Sequence, residues 1–147
     1  MKSELRQHCE NFIAERIQRI QNQIKTISNS LLSETKSSAG DKHETGRAML
    51  QLEREKLGVQ LAEAERIKRI LSKVSIKERG NKIGLGSFFR TNKHCYYIAI
   101  SAGFFQIGDD KIFCISAKTP IGKQVLGKGV GDSFSINNVV QNIIEIA

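Results

Sequence analysis

Tryptophan is absent from the 147 residues, proline occurs once and methionine twice. With one proline, long helical segments can run without an enforced break. Cysteine is scarce: Cys9, Cys95 and Cys114 are an odd number, widely spaced and without a CxxC pair. That pattern excludes a disulfide framework and a zinc site, and predicts buried, idle thiols. No run approaches the roughly 20 apolar residues of a spanning helix; the longest weakly polar stretch is Tyr96 to Phe105. The opening MKSELRQHCENF has no apolar centre and no small-residue cleavage site, so the expectation is a cytoplasmic protein with no membrane association. What is present is an ordinary globular share of hydrophobic residues, 39%, and an excess of base: 23 Lys and Arg against 15 Asp and Glu, a net of +8. This content supports a folded core and points to a polyanionic partner or surface.

Apolar residues recur at Ile13, Ile17, Ile20, Ile24, Ile27 and Leu31, in alternating steps of 4 and 3, which is a heptad seam. After a polar break from Ser33 to Gly40, Leu50, Leu57, Ala64 and Leu71 follow seven apart, with Leu61, Ile67 and Val74 beside them. One helix with one stripe buries too little to be stable in water, so the spacing predicts that the second helix folds back on the first as an antiparallel hairpin. Arms of about 30 residues give a rod of about 45 Å at 1.5 Å per residue. Glu15 with Arg19 and Glu65 with Arg69 are i,i+4 pairs suited to a solvated face.

Past Val74 the pattern changes: KERGNKIGLG is rich in Lys and Gly, and β-branched and aromatic residues dominate thereafter. The expected division is a coiled-coil hairpin over 1–76, its tip near 36–46, and a sheet domain over 77–147. The overall class is α+β. Strands are predicted at about 84–91, 94–102, 104–108, 111–116, 131–136 and 138–146, as a small antiparallel sheet with turns at Thr91-Asn92 and Gly108-Asp109-Asp110. Thr119 and Pro120 read as N-cap and first residue of a short helix, Ile121, Val125 and Leu126 as its apolar side, and Gly127 as its stop. That helix is expected to cover one face of the sheet and to be its main support.

The tip of the hairpin reads Ser37-Ser-Ala-Gly-Asp41-Lys42-His43-Glu44-Thr45-Gly46. Asp41 and Glu44, three apart at a helix start, can point outward together and share a divalent cation. Two carboxylates are too few for Mg²⁺, which wants six oxygens, so the tip suits completion of a metal site housed elsewhere. The same Asp-x-x-Glu spacing is also a capping box, with Asp41 accepting from the amide of Glu44. Lys36, Lys42, His43 and Arg47 read as solvated residues whose cations can also meet nucleic-acid phosphate.

These residues give the whole chain a resemblance to the bacterial Gre transcript-cleavage factors, a family of transcription elongation factors. Gly40-Asp41-x-x-Glu44 is similar to the family's Gly-Asp-x-x-Glu-Asn tip. Ser116-Ala-Lys-Thr119-Pro120-Ile121-Gly122, followed by Leu126-Gly127-Lys128-x-x-Gly131-Asp132, is similar to its Ser-Pro-[Leu/Ile]-Gly…Leu-Gly-Lys…Gly-Asp segment. The resemblance implies a coiled coil followed by an FKBP-like domain that docks at the rim of the secondary channel of RNA polymerase. It further implies that Asp41 binds a Mg²⁺ ion in the polymerase active site and Glu44 assists the ion or the attacking water, so that the polymerase cleaves backtracked RNA near its 3′ end. On this reading Lys36, Lys42 and Arg47 contact RNA, and Ser116, Thr119 and Pro120 contact the polymerase. The chain is then an accessory to the polymerase rather than an enzyme, with no stably bound cofactor and no small-molecule substrate. Where the family commonly has Asn and a nearby Tyr after the acids, this chain has Thr45 and Ala48, a departure that also suits a non-cleaving regulator of the same shape.

Two other classes are in contention. An FKBP-like module suggests a peptidyl-prolyl isomerase, but Phe88, Phe89, Tyr96, Tyr97, Phe104, Phe105, Phe113 and Phe134 read as core and strand-face residues rather than a converging pocket. The hairpin also suits a general coiled-coil interaction module. Adjacent His94 and Cys95 point to opposite faces of a strand and make no nucleophilic pair.

Overall fold

A computed structural model describes residues 1–36, 41–77 and 80–147, with backbone alone for residues 35, 36 and 41–43. An N-terminal two-helix hairpin, α1 (Lys2–Lys36) and α2 (Asp41–Ser72), precedes a six-stranded sheet with one short helix. The chain divides into two compact units, one spanning Ile13–Lys68 and one formed by Met1–Phe12 with Arg69–Ala147.

In the first unit the heptad positions turn inward as the spacing predicts. Ile13, Ile20, Leu57 and Ala64 are buried, and Ile17, Ile24, Ile27, Leu31, Leu50, Leu61 and Ile67 are half-buried. The Arg54 guanidinium donates to Ser28 Oγ at 3.2 Å and that of Arg47 to the Leu31 carbonyl at 3.5 Å. Partners fall along α2 as numbers rise along α1, so the arms are antiparallel. α1 continues past the start of the polar run at Ser33 as far as Lys36, with Ser33 Oγ donating to the Asn29 carbonyl of its own helix at 3.3 Å. Neither expected i,i+4 pair forms among the described residues; Arg66 instead grips Glu63, one turn earlier, through two hydrogen bonds of 3.0 and 2.6 Å.

In the second unit the strands are β1 (Phe88–Thr91), β2 (Cys95–Ala99), β3 (Phe104–Ile107), β4 (Asp110–Ser116), β5 (Ser133–Ile136) and β6 (Val139–Ile146), in the order β3-β4-β2-β1-β6-β5. The pairings are antiparallel except β2 with β4, which is parallel. Local alternation cannot reveal this exception, because the β3–β4 hairpin returns β4 between β2 and β3. β1 starts at Phe88 rather than near 84: Ser87 N–H closes a turn on the Gly84 carbonyl. Within that turn Gly86 has φ +92°, and a Cβ there would lie 2.7 Å from the Ser75 carbonyl oxygen. β5 and β6 join through Asn137 and Asn138, both at positive φ, the backbone of a type I′ hairpin turn.

Alternating side chains give the sheet two buried faces. On one, Phe89, Tyr96, Ile98, Phe134 and Ile143 pack with Val125 of α3 (Pro120–Val125). On the other, strand register groups Phe88, Tyr97 and Cys114, with Cys95 and Ile112 on the same face. This face meets the first turns of α1, where Leu5 and Cys9 are fully buried and the His8 ring lies 5.0 Å from Phe105 and 2.7 Å from the Ala102 carbonyl oxygen. The short helix covers one face, as expected, but it is not the main support that the sequence suggested, because the first turns of α1 cover the other face. The apolar stripe of α1 starts at Leu5, eight residues before the heptad seam becomes regular.

Candidate functional site

α2 begins at Asp41, and Glu44 stands in its first turn with its side chain exposed. Exposure suits an oxygen donor meant for something outside the chain. The backbone of Lys36, Asp41, Lys42 and His43 is helical, while their side chains, and Ser37 to Gly40 entirely, lie outside the described residues; the expected capping box lies there too. Arg47, expected beside RNA, is half-buried and its guanidinium donates to the Leu31 carbonyl on the opposite arm. Carboxylates suit Mg²⁺, a hard cation, but no group of three or more His, Cys, Asp or Glu able to hold a metal occurs among the described residues.

The second candidate region is the turn into α3. Ser116, Thr119 and Pro120 are brought together as the sequence places them. Thr119 Oγ1 accepts from Gly122 N–H at 3.0 Å and donates to the Ser116 carbonyl at 2.8 Å, a helix cap with Pro120 at the first position. Ser116 Oγ accepts from Lys118 N–H at 3.2 Å. Both hydroxyls are thus engaged in shaping the turn, and the exposed residues at it are Lys118 and Pro120. Gly122 is required by close approach: a Cβ there would lie 2.3 Å from the Ser116 carbonyl oxygen. Gly127, at φ +81°, follows the helix as predicted.

Beside this turn opens a cleft of about 290 Å³, lined by His94, Tyr96, Phe113, Ile115, Ile121, Ile136 and Gln141. Gln141 is buried, and its Oε1 accepts from Thr91 Oγ1 at 2.9 Å and from the Tyr96 hydroxyl at 3.0 Å. Burial outweighs that hydrogen bond and pushes the Tyr96 phenol above its ordinary range. Sequence reasoning missed Gln141. The available signal was a polar residue at an inward position of β6, two before buried Ile143. His94 edges onto Tyr96 and Phe113, whereas Cys95 is buried on the opposite face, so the two form no catalytic pair. No helix among the described residues is long and apolar enough to cross a membrane.

No family model and no curated protein sequence matches the chain. Among solved structures, the chain is similar to the crystal structure of GreA factor homolog 1 (Gfh1) of Thermus thermophilus, at 19% identity and a TM-score of 0.36, over 92% of each chain.

Proposed function

We propose that this protein is a transcription elongation factor of the Gre type. It binds RNA polymerase at its secondary channel and presents Asp41 and Glu44 to the polymerase active site, stimulating cleavage of backtracked RNA. The observation that carries the reading is the exposed Glu44 in the first turn of α2, three residues after Asp41, in a hairpin whose arms run antiparallel. The two tip and turn segments shared with the Gre factors support it, as does the net charge of +8, which suits a partner carrying nucleic acid.

In such a complex Asp41 would hold the shared metal through a carboxylate oxygen, and Glu44 would assist the ion or accept a hydrogen bond from the attacking water. The chemistry a Mg²⁺ ion would supply there is a lowered pKa of that water and neutralisation of charge in the in-line displacement. Lys36, Lys42 and Arg47 are the cations nearest the RNA phosphates, and the turn at Ser116, Thr119 and Pro120 meets the polymerase. The test is a stalled, backtracked elongation complex with Mg²⁺. Wild type is expected to release a short 3′ RNA rapidly, and the Asp41→Ala, Glu44→Ala double variant is expected to bind the polymerase without doing so. Equal release by both proteins would remove the catalytic role.

Thr45 and Ala48, in place of the family's Asn and Tyr, favour a second reading. In this one the same hairpin occupies the channel and regulates transcription without cleavage. Polymerase binding and altered transcription with no RNA release by wild type would select it.

A further inference from the structure

The cleft beside the turn into α3 has apolar walls and one fixed, deeply buried polar group. Phe113, Ile115, Ile121 and Ile136 line it and are half-buried, so part of their apolar surface stays uncovered. The polar group is Gln141, 5% exposed. Its orientation is set by Thr91, whose hydroxyl oxygen accepts from Lys93 N–H at 3.0 Å and from His94 N–H at 2.9 Å, which occupies both lone pairs. Thr91 Oγ1 therefore meets Gln141, 2.9 Å away, as a donor, and the Tyr96 hydroxyl donates to the same oxygen at 3.0 Å. This holds Oε1 against the two hydroxyls and turns Nε2 away from them. Among the described residues Nε2 has no hydrogen-bond partner, and it is not sealed off, because the wholly enclosed side-chain polar atom without a partner is the Tyr97 hydroxyl. A donor on so buried a residue, open to the cleft and unmatched, calls for an acceptor brought from outside.

We propose that this cleft binds an extended segment of a partner protein, taking one branched aliphatic side chain between Tyr96, Phe113, Ile115, Ile121 and Ile136 while Gln141 Nε2 donates to the adjoining backbone carbonyl. Volume, hydrogen bonding and charge each select that occupant. At about 290 Å³ the cleft falls just short of the range that holds drug-sized molecules, so it suits a single side chain with its flanking amide. Covering Nε2 without an acceptor would cost the donor its contact with water. Every residue of a peptide carries a carbonyl next to its side chain, so an apolar residue brings the acceptor with it. The rim is basic: Lys93 adjoins His94, Lys118 is exposed at the turn into α3, and Lys111 Nζ lies 5.4 Å from the centre of the Phe113 ring. No acidic residue lines the cleft among the described residues. Acidic residues flanking the aliphatic one complement that rim. The inference stands on the sheet unit alone and holds whether or not the hairpin acts on RNA.

The test titrates the isotopically labelled full chain with acetyl-Glu-Glu-Leu-Glu-Glu-amide and follows it by NMR, where the Gln141 side-chain amide reports on its own hydrogen bond. That signal and the methyls of Ile115, Ile121 and Ile136 should shift together and saturate. Serine in place of the peptide's leucine should weaken binding about tenfold or more, and lysines in place of its glutamates several-fold at low salt. Gln141→Glu keeps an oxygen for Thr91 and Tyr96 but removes the donor, and should weaken binding about tenfold. Ile121→Ser alters the wall with the Gln141 contacts intact and should also weaken binding, so the result does not hang on one variant's folding. Absence of saturable shifts, shifts confined to other surfaces, an unmoved Gln141 amide signal, or equal affinity for the leucine and serine peptides would each overturn the proposal. Equal affinity for the lysine-flanked peptide would overturn the part given to the basic rim.

Discussion

The hairpin unit and the sheet unit are stabilised differently. Among the described residues between Ile13 and Lys68 the buried apolar side chains are Ile13, Ile20, Leu57 and Ala64, a single seam, whereas the sheet buries both faces, with Phe88, Phe89, Tyr97, Ile98 and Ile112 at or near zero exposure. A seam needs only periodicity, so its stability is spread thinly over many half-buried contacts. A two-faced sheet concentrates stability in a few aromatic side chains whose loss leaves a large void. The difference sets what a substitution costs: an exposed carboxylate on the hairpin can be altered at little structural cost, and a residue of the sheet core cannot.

The sharpest way to break this contrast is Phe89→Ala, which should cost about 4 kcal/mol and lower the melting temperature of the sheet unit most. A loss no larger than that of a hairpin substitution would contradict the two-faced core. Next is the alkaline limb. Burial pushes the Tyr97 phenol up to about 12, so the folded state holds its proton after the unfolded chain, near 10, has released it. That stability is complete below pH 10 and is lost as pH rises toward 12, by roughly 3 kcal/mol. Tyr97→Phe should flatten the fall in urea midpoints between pH 10 and 12; an unchanged slope would place the titration elsewhere. Leu57→Ala should cost about 2 kcal/mol, seen in loss of helical circular dichroism before the sheet's near-ultraviolet signal changes. The smallest effect is Glu44→Gln, within about 0.5 kcal/mol on melting because the side chain is exposed, while its effect on RNA release should be the largest of the four.

Legibility in the sequence followed the same divide. Ile13 to Leu31 and Leu50 to Leu71 announce their burial because a helix repeats its environment every seven residues. Thr119-Pro120 and Gly127 announce α3 because capping chemistry is local. The cover that α1 provides through Leu5, His8 and Cys9, and the parallel pairing of β2 with β4, are contacts between distant segments that no local period encodes. At the candidate site, the spacing of Asp41 and Glu44 is legible in the sequence as a place for oxygen donors, whereas the remaining ligands of the cation proposed for them would come from groups that this sequence does not encode. Gln141 shows the reverse: its role as acceptor for Thr91 and Tyr96 became legible only once three strands met.

The most direct measurement places a photo-crosslinking amino acid at position 44 and irradiates the protein in a backtracked elongation complex. The account predicts covalent adducts with the 3′ segment of the nascent RNA or with the polymerase residues that hold the catalytic metal, and none of these from the same group at exposed Val59. Adducts from position 44 confined to surfaces away from the active site, or identical to those from position 59, would contradict it.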